Sequence, residues 1–231
     1  MAQAAQATTP SKKPRRSILG RKVGMTQIFS EDGRWLPVTV LQVGPCTVLQ
    51  VKTQEKDGYT AVQLGLDGTK KRKRRPQQAY FEKLGVSAQK HVREVPFLDD
   101  ASLLTPSKAE GGGIGPGATV GVAFFKDVKR VDVRGFTKGR GFQGVIRRYH
   151  FNAGPKSRGT KNIREPKSTG MHTDPGRVHK GKRMPGHMGA VFRKARNLDV
   201  VKVVEPDNLL LVRGSIPGPN GGYVYIQESL S

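Results

Sequence analysis

Residues 134–193 constrain the fold of this chain more than any other part of it. These 60 residues include 15 Lys or Arg and 11 Gly, but only two acidic residues, Glu165 and Asp174. Only eight positions are Val, Ile, Leu or Met, and they follow neither a helical nor a strand period. So few apolar side chains cannot offset the entropy lost on ordering the segment. We therefore predict that this segment, called the basic insertion below, is either disordered or ordered by an external surface.

The chain on both sides of the basic insertion has the patterning of short β-strands separated by turn signals. Strands are predicted at residues 23–29, 35–43, 48–51, 59–66, 119–125, 128–133, 200–204, 209–212 and 223–226. A short helix is predicted at residues 79–84, and a glycine-rich loop at residues 109–117. The basic N-terminal stretch, residues 1–17, lacks the apolar core of a signal peptide and is expected to be a disordered tail. We therefore expect a small β-barrel or sandwich at residues 18–133, completed by strands in residues 194–231.

The charge of the whole chain indicates a polyanionic partner. There are 41 Lys and Arg against 18 Asp and Glu, which gives a net charge of +23. Such an excess repels itself in a compact state, and nucleic acid relieves that repulsion by neutralising the cations. No apolar run approaches the ~20 residues of a membrane-spanning helix, so no membrane partner is expected. RNA is favoured over DNA because no helix-turn-helix, zinc finger or basic zipper is visible.

Two groups of residues are candidates for RNA contacts. The first is the run of six cations at residues 70–75, for which a solvated loop or an import-like patch is the alternative. The second lies in the basic insertion, where glycines between the cations let the backbone approach phosphates and aromatic rings can stack on unpaired bases. A solvated, mobile loop is the alternative there. The predicted RNA-binding residues are Lys70, Lys71, Arg72, Lys73, Arg74, Arg75, Arg134, Lys138, Arg140, Phe142, Arg147, Arg148, Lys156, Arg158, Lys161, Arg164, Arg177, Lys180, Lys182, Arg183 and His187.

Catalytic and metal-binding patterns are not recognisable in the sequence. His172, His179 and His187 are spaced by seven and eight residues without thiol or carboxylate partners, so contacts to RNA are favoured over a metal. Cys46, the single cysteine, is predicted to be a core residue. With no carboxylate pair, P-loop or nucleophile elbow, we expect neither enzyme activity, nor a cofactor, nor a small-molecule substrate. An RNA-modifying factor and a chromatin protein are the alternatives. The first would need a cofactor pocket, and the second would carry its cations in terminal tails or on helices.

Several longer motifs resemble one protein family. Residues 20–26 (GRKVGMT), followed by Phe29 and Asp32-Gly33, resemble the opening of the large-subunit ribosomal protein 3 family. Further motifs of the same family are similar to three later segments of this chain, namely residues 138–145 (KGRGFQGV), 175–189 and 208–218. The likeness extends from Ile18 to about Ile226, and the length is similar to that of bacterial or organellar members. Residues 157–159 and 167–170 depart from the usual family pattern, and the glutamine that some bacterial members carry methylated is absent.

The resemblance implies a translation-factor-like β-barrel and a structural role in the cytoplasmic ribosome. It implies that the basic insertion extends into 23S ribosomal RNA toward the peptidyl transferase centre and that the protein binds this RNA early in subunit assembly. It further implies contacts with large-subunit proteins 14 and 19.

Overall fold

Strands outnumber helices in the computed structural model, which describes residues 16–69, 74–96 and 115–230. The strands are β1 (Ser17–Phe29), β2 (Trp35–Val43), β3 (Cys46–Lys52), β4 (Ala61–Gly68), β5 (Gln89–Pro96), β6 (Thr119–Val120), β7 (Arg130–Phe136), β8 (Phe142–Gln143), β9 (Gly186–His187), β10 (Phe192–Val204), β11 (Leu209–Arg213) and β12 (Tyr223–Glu228). The helices are α1 (Gln54–Asp57), α2 (Arg75–Lys83) and α3 (Val145–Tyr149), with a 3₁₀ helix at Val122–Phe125. The mainly β class predicted from the patterning is confirmed.

Six strands close into a barrel in the order β1-β12-β7-β10-β11-β2. The first and last strands are antiparallel neighbours, with Ser17 opposite Gln227. Burial alternates along β11, where Leu210 and Val212 are fully buried and their neighbours are more exposed, as expected for a strand in the wall of a barrel. The barrel therefore uses strands from both sides of the basic insertion.

A second sheet, in the order β5-β4-β3-β6, shares the hydrophobic core of the barrel. Val48 and Leu64 from this sheet join Leu41, Leu210 and Ile226 from the barrel in one buried cluster. The strands predicted at residues 48–51 and 59–66 therefore belong to this second sheet and not to the barrel wall. This sheet gives the chain a core larger than the barrel interior alone.

Cys46 lies in that core, as predicted. Its side chain is buried, and its Sγ donates a hydrogen bond to the carbonyl of Leu19 at 3.3 Å. Burial raises the pKa of the thiol to about 12. The thiol is therefore a packed, protonated group and not a reactive one.

The chain divides into two compact units. One, called the basic unit below, is Thr137–Phe192, and the other, called the barrel unit, comprises the chain before and after it. The barrel unit holds both sheets and nearly all of the buried apolar side chains. Across the described residues, no helix has the length and hydropathy needed to cross a membrane.

Several predicted elements differ from the observed ones. The strand predicted at residues 119–125 ends at Val120, because Val122 and Phe125, three residues apart, both turn inward from a 3₁₀ helix. Strand β5 was not predicted, since Val95 is its one fully buried apolar side chain. Helix α2 begins at Arg75, four residues before the predicted start.

The described residues also bear on the predicted tail, loop and insertion. Ser17, predicted to end the tail, is buried and begins β1. Residues 1–15 and 70–73 lie outside the described residues, as does most of the predicted glycine-rich loop. The basic insertion, predicted to be disordered or ordered by an external surface, contains the short elements β8, α3 and β9, and its two ends continue β7 and β10.

Candidate nucleic-acid interface

A hydrogen-bonded stem organises the two ends of the basic unit. The backbone amide of Thr137 donates to the carbonyl of Val191 at 3.0 Å, and that of Arg140 donates to Met188 at 2.8 Å. Phe142 then lies opposite His187 in the pairing of β8 with β9. The stem therefore consists of residues 137–143 and 186–191, and it is fixed by backbone bonds without a hydrophobic core.

Gly189 makes the close approach of the two stem segments possible. Its φ is +78°, and a Cβ atom placed there would overlap the carbonyl oxygen of Lys138. Any side chain at this position would therefore both strain the backbone and push the segments apart. The glycines of the basic insertion are interpreted from the sequence as sites of close approach to phosphates. At least one of them, Gly189, is required instead for the internal structure of the unit.

The stem carries four of the predicted RNA-binding residues. Lys138, Arg140, Phe142 and His187 are all exposed on it. The Phe142 side chain is 68% exposed, and its ring meets the His187 ring edge to face with centroids 6.0 Å apart. An exposed aromatic ring that a second ring holds in place is suited to stacking on an unpaired base.

A second cluster forms around Tyr149 at the end of α3. The guanidinium carbons of Arg148 and Arg183 lie 5.0 and 5.6 Å from the centre of its ring. Arg148 also donates from Nη1 to the carbonyl oxygen of Met184 at 2.8 Å. These contacts connect α3 to residues 183–184 and hold two cations near one aromatic ring.

Unpaired positive charge characterises the rest of the basic unit. Glu165 and Asp174 are exposed, and none of the cations in Thr137–Phe192 forms an ion pair with a described residue. Apart from Arg148, the predicted cations of this unit are exposed, namely Lys138, Arg140, Arg147, Lys156, Arg158, Lys161, Arg164, Arg177, Lys180, Lys182 and Arg183. A surface of this kind attracts phosphate groups at long range and can neutralise them on contact.

The remaining predicted residues lie in the barrel unit or outside the described residues. Arg74 and Arg75, at the start of α2, are exposed. Arg134 lies in β7 and is half-buried, with its guanidinium carbon 5.6 Å from the centre of the Tyr225 ring. Lys70, Lys71, Arg72 and Lys73 lie outside the described residues. The structure thus gathers the predicted residues of the stem and of the Tyr149 cluster into one unit, but not Arg74, Arg75 or Arg134.

The histidines of the basic unit are not assembled as metal ligands. His172 Nδ1 is 2.8 Å from the hydroxyl of its neighbour Thr173. Within the described ranges, no three His, Cys, Asp or Glu side chains come together as a metal site would need. His187 instead lies against Phe142.

Tyr149 and Gly189 organise the candidate interface, but the predicted set of RNA-binding residues did not include them. The local sequence Arg147-Arg148-Tyr149 hints at a cation next to a ring, but the contact with Arg183 spans 34 positions and has no local signal. The overlap between Gly189 and Lys138 is likewise visible only once the stem is paired.

The family model described as Ribosomal protein L3 matches residues 118–209. The matched region contains the whole basic unit together with β6, β7 and β10 of the barrel unit.

Proposed function

The chain belongs to the ribosomal protein L3 family, and from that premise we propose that its basic unit binds large-subunit (23S) ribosomal RNA. The family places the chain among the structural, non-enzymatic proteins of the large ribosomal subunit. The finer proposal is that the unit reaches toward the peptidyl transferase centre, shapes the RNA there and supports early subunit assembly.

The observation that carries this proposal is the combination of a fixed stem with unpaired surface cations. Lys138, Arg140 and Phe142 lie on backbone that is already hydrogen-bonded, so less conformational entropy is lost when they contact RNA. Among the described residues, phosphates have no competing carboxylate to displace from these cations, since neither Glu165 nor Asp174 forms an ion pair there. The ring of Phe142 supplies stacking that phosphate contacts alone do not.

The salt dependence of RNA binding tests the electrostatic part of the proposal. Replacing Arg177, Lys180, Lys182 and Arg183 by glutamine should lower the slope of log affinity against log salt by roughly 0.7–0.9 for each phosphate that the variant no longer neutralises. The matched control replaces Lys56, Lys83, Lys129 and Lys202, which are exposed cations of the barrel unit, and makes the same charge change. An equal fall of the slope in both variants would show only an effect of net charge and would overturn the proposed site.

The cationic run at residues 70–75 is proposed as a second RNA contact. Replacing the six side chains by neutral ones should flatten the slope further, because this run and the basic unit would neutralise separate phosphates. An unchanged slope would mean that this run faces solvent.

Deleting residues 157–174 tests the role in assembly. These residues contribute none of the stem hydrogen bonds and none of the cations at Tyr149. The deletion variant should therefore fold and bind its primary RNA site, but its subunits should assemble slowly or translate poorly. A single alanine that abolishes peptide-bond formation in fully assembled subunits, with unchanged RNA structure probing, would contradict the structural role.

The proposed partners beyond RNA are large-subunit proteins 14 and 19, and the proposed location is the cytoplasmic ribosome. Both rest on the family resemblance. Co-sedimentation of the chain with large subunits in a high-salt gradient tests whether the chain is a ribosomal component, because a stoichiometric component stays bound. Release of the chain at high salt would favour a transient RNA-modifying factor or a chromatin protein.

A further inference from the structure

The loop end of the β1–β2 hairpin exposes an apolar surface that RNA binding does not explain. The side chains of Phe29 and Trp35 are 66% and 61% exposed, and Met25 is 54% exposed. The two rings meet edge to face with their centroids 5.0 Å apart. Large rings at the end of a hairpin contribute little to the core, and leaving them in water is unfavourable.

The register of the hairpin places these side chains on one face. Phe29 is paired with Trp35, and Gln27 with Pro37, two residues further along each strand. Because side chains two residues apart share a face of a strand, Pro37 continues the surface begun by the rings, and Met25 lies on the same face beyond the polar side chain of Gln27. A shallow depression lined by Met25, Thr26, Gln27 and Pro37 lies along the same hairpin. Met25, Phe29, Trp35 and Pro37 are called the tip surface below.

The hairpin segment that carries the tip surface has a net charge opposite to that of the chain. Residues 23–37 contain two acids, Glu31 and Asp32, and one cation, Arg34, within a chain of net charge +23. The turn that carries the acids is fixed by a 2.8 Å bond from the Ser30 amide to the Arg34 carbonyl and a 2.9 Å bond from the Gly33 amide to the Ser30 carbonyl. Both carboxylates are exposed. A phosphate backbone would be repelled at this place, whereas a cationic protein surface would be attracted.

We propose that the tip surface docks a neighbouring protein of the large subunit that presents an apolar pocket flanked by Lys or Arg side chains. Trp and Phe at the centre would be the anchors, since desolvated aromatic side chains carry most of the energy of protein interfaces. Glu31 and Asp32 at the rim would pair with the cations and set the orientation. The proposal rests on the ribosomal role of the chain but not on the RNA contacts of the basic unit.

Photocrosslinking in intact large subunits tests this assignment. Trp35 is replaced by photoreactive benzoylphenylalanine, which keeps an apolar aromatic side chain, and the full-length protein is incorporated into subunits. Irradiation should give an adduct with another protein at a peptide rich in Lys or Arg. The control carries the same group at Tyr80, an aromatic side chain of α2 that is 36% exposed. The proposal would be overturned if the group at position 35 gave no adduct, or gave an adduct only with RNA or within this chain. The same adduct from positions 35 and 80 would also overturn it.

Charge reversal at the rim is the second arm of the test. Glu31→Lys with Asp32→Lys should lower the yield of the protein adduct at least about tenfold, because attractive pairs become repulsive. The control is Glu55→Lys with Asp57→Lys, which makes the same charge change on the exposed helix α1. Equal yields from the two variants would contradict a cationic partner. The salt slope of RNA binding, measured on the same proteins, separates failure of this proposal from failure of the RNA-binding proposal.

Discussion

The barrel unit and the basic unit are stabilised by different means. The barrel unit buries a continuous cluster of side chains, including Phe125, Leu41 and Leu210. In the basic unit, Val145 is the one apolar side chain buried, and the stem is fixed by backbone hydrogen bonds. One chain thus holds a unit with a continuous hydrophobic core and a unit whose stem is fixed by backbone hydrogen bonds, and we predict that only the second needs a polyanion for full ordering.

Phenylalanine-to-alanine substitutions in the two units should show the largest difference. Phe125→Ala should lower the free energy of unfolding by about 3–5 kcal/mol, because it opens a cavity in a close-packed core. Phe142→Ala removes the same atoms from a ring that is 68% exposed, and should change stability by less than about 0.5 kcal/mol. Urea unfolding followed by circular dichroism measures both. Similar decreases in both variants would mean that the basic unit also contributes a packed core.

Limited proteolysis of the free protein should distinguish the units by about a hundredfold in cleavage rate. A unit with few buried apolar contacts opens locally at a small cost, and a difference of about 2.7 kcal/mol in opening free energy corresponds to that ratio. The first cuts should map to residues 137–192, and added ribosomal RNA should slow them. Cleavage of the barrel strands at the same rate would contradict the comparison.

Asp132 provides a pH test that is confined to the barrel unit. Its carboxylate lies 2.5 Å from Lys194 Nζ and accepts a 2.9 Å hydrogen bond from the Asn197 amide. Burial acts to raise the pKa of Asp132, but these bonds outweigh it and hold the pKa below the ordinary 3.8. The stabilisation is therefore complete above about pH 3.8 and is lost as the pH falls through the lowered pKa.

Asp132→Asn should accordingly cost about 2 kcal/mol at neutral pH and remove this part of the acid dependence. The control is Asp127→Asn, since that side chain is 83% exposed and lies 3.8 Å from Arg16. Thermal unfolding between pH 2 and 7 measures both variants. If the stability of Asp132→Asn falls with acid as much as that of the unchanged protein, the acid dependence belongs to other groups.

Glycine-to-alanine substitutions in the basic unit test the stem, and their expected effect on RNA affinity is the smallest of these predicted effects. Gly189→Ala should weaken RNA binding about tenfold, or roughly 1.4 kcal/mol, because the added methyl group overlaps the Lys138 carbonyl and separates the stem segments. Gly181→Ala is the control, since Gly181 also has a positive φ, +80°, but no atom lies within 4 Å of an added Cβ. Equal weakening by the two substitutions would show that backbone strain matters and the close approach of the stem segments does not.

The sequence allowed the barrel to be predicted better than the basic unit. Strands such as β2 and β11 are short runs rich in Val and Leu, and the turn signals that bound them favour strands over helices. Strand β5 escaped prediction because it lies at the edge of the second sheet with most of its residues exposed. The charge and glycine content identified the candidate interface, but the pairing of Phe142 with His187 could not be seen. That pairing depends on backbone bonds between segments 45 residues apart, which leave no periodic signature.

The interleaved strand order of the barrel has a consequence for synthesis on the ribosome. Strands β1, β2 and β7 leave the exit tunnel before the basic unit, whereas β10, β11 and β12 leave after it. Since β12 lies between β1 and β7, no nascent chain can close the barrel until its final strand has emerged. The whole basic unit is therefore outside the tunnel while the barrel is still open, and closure must then bring together β1 and β12, the two most distant strands of the chain.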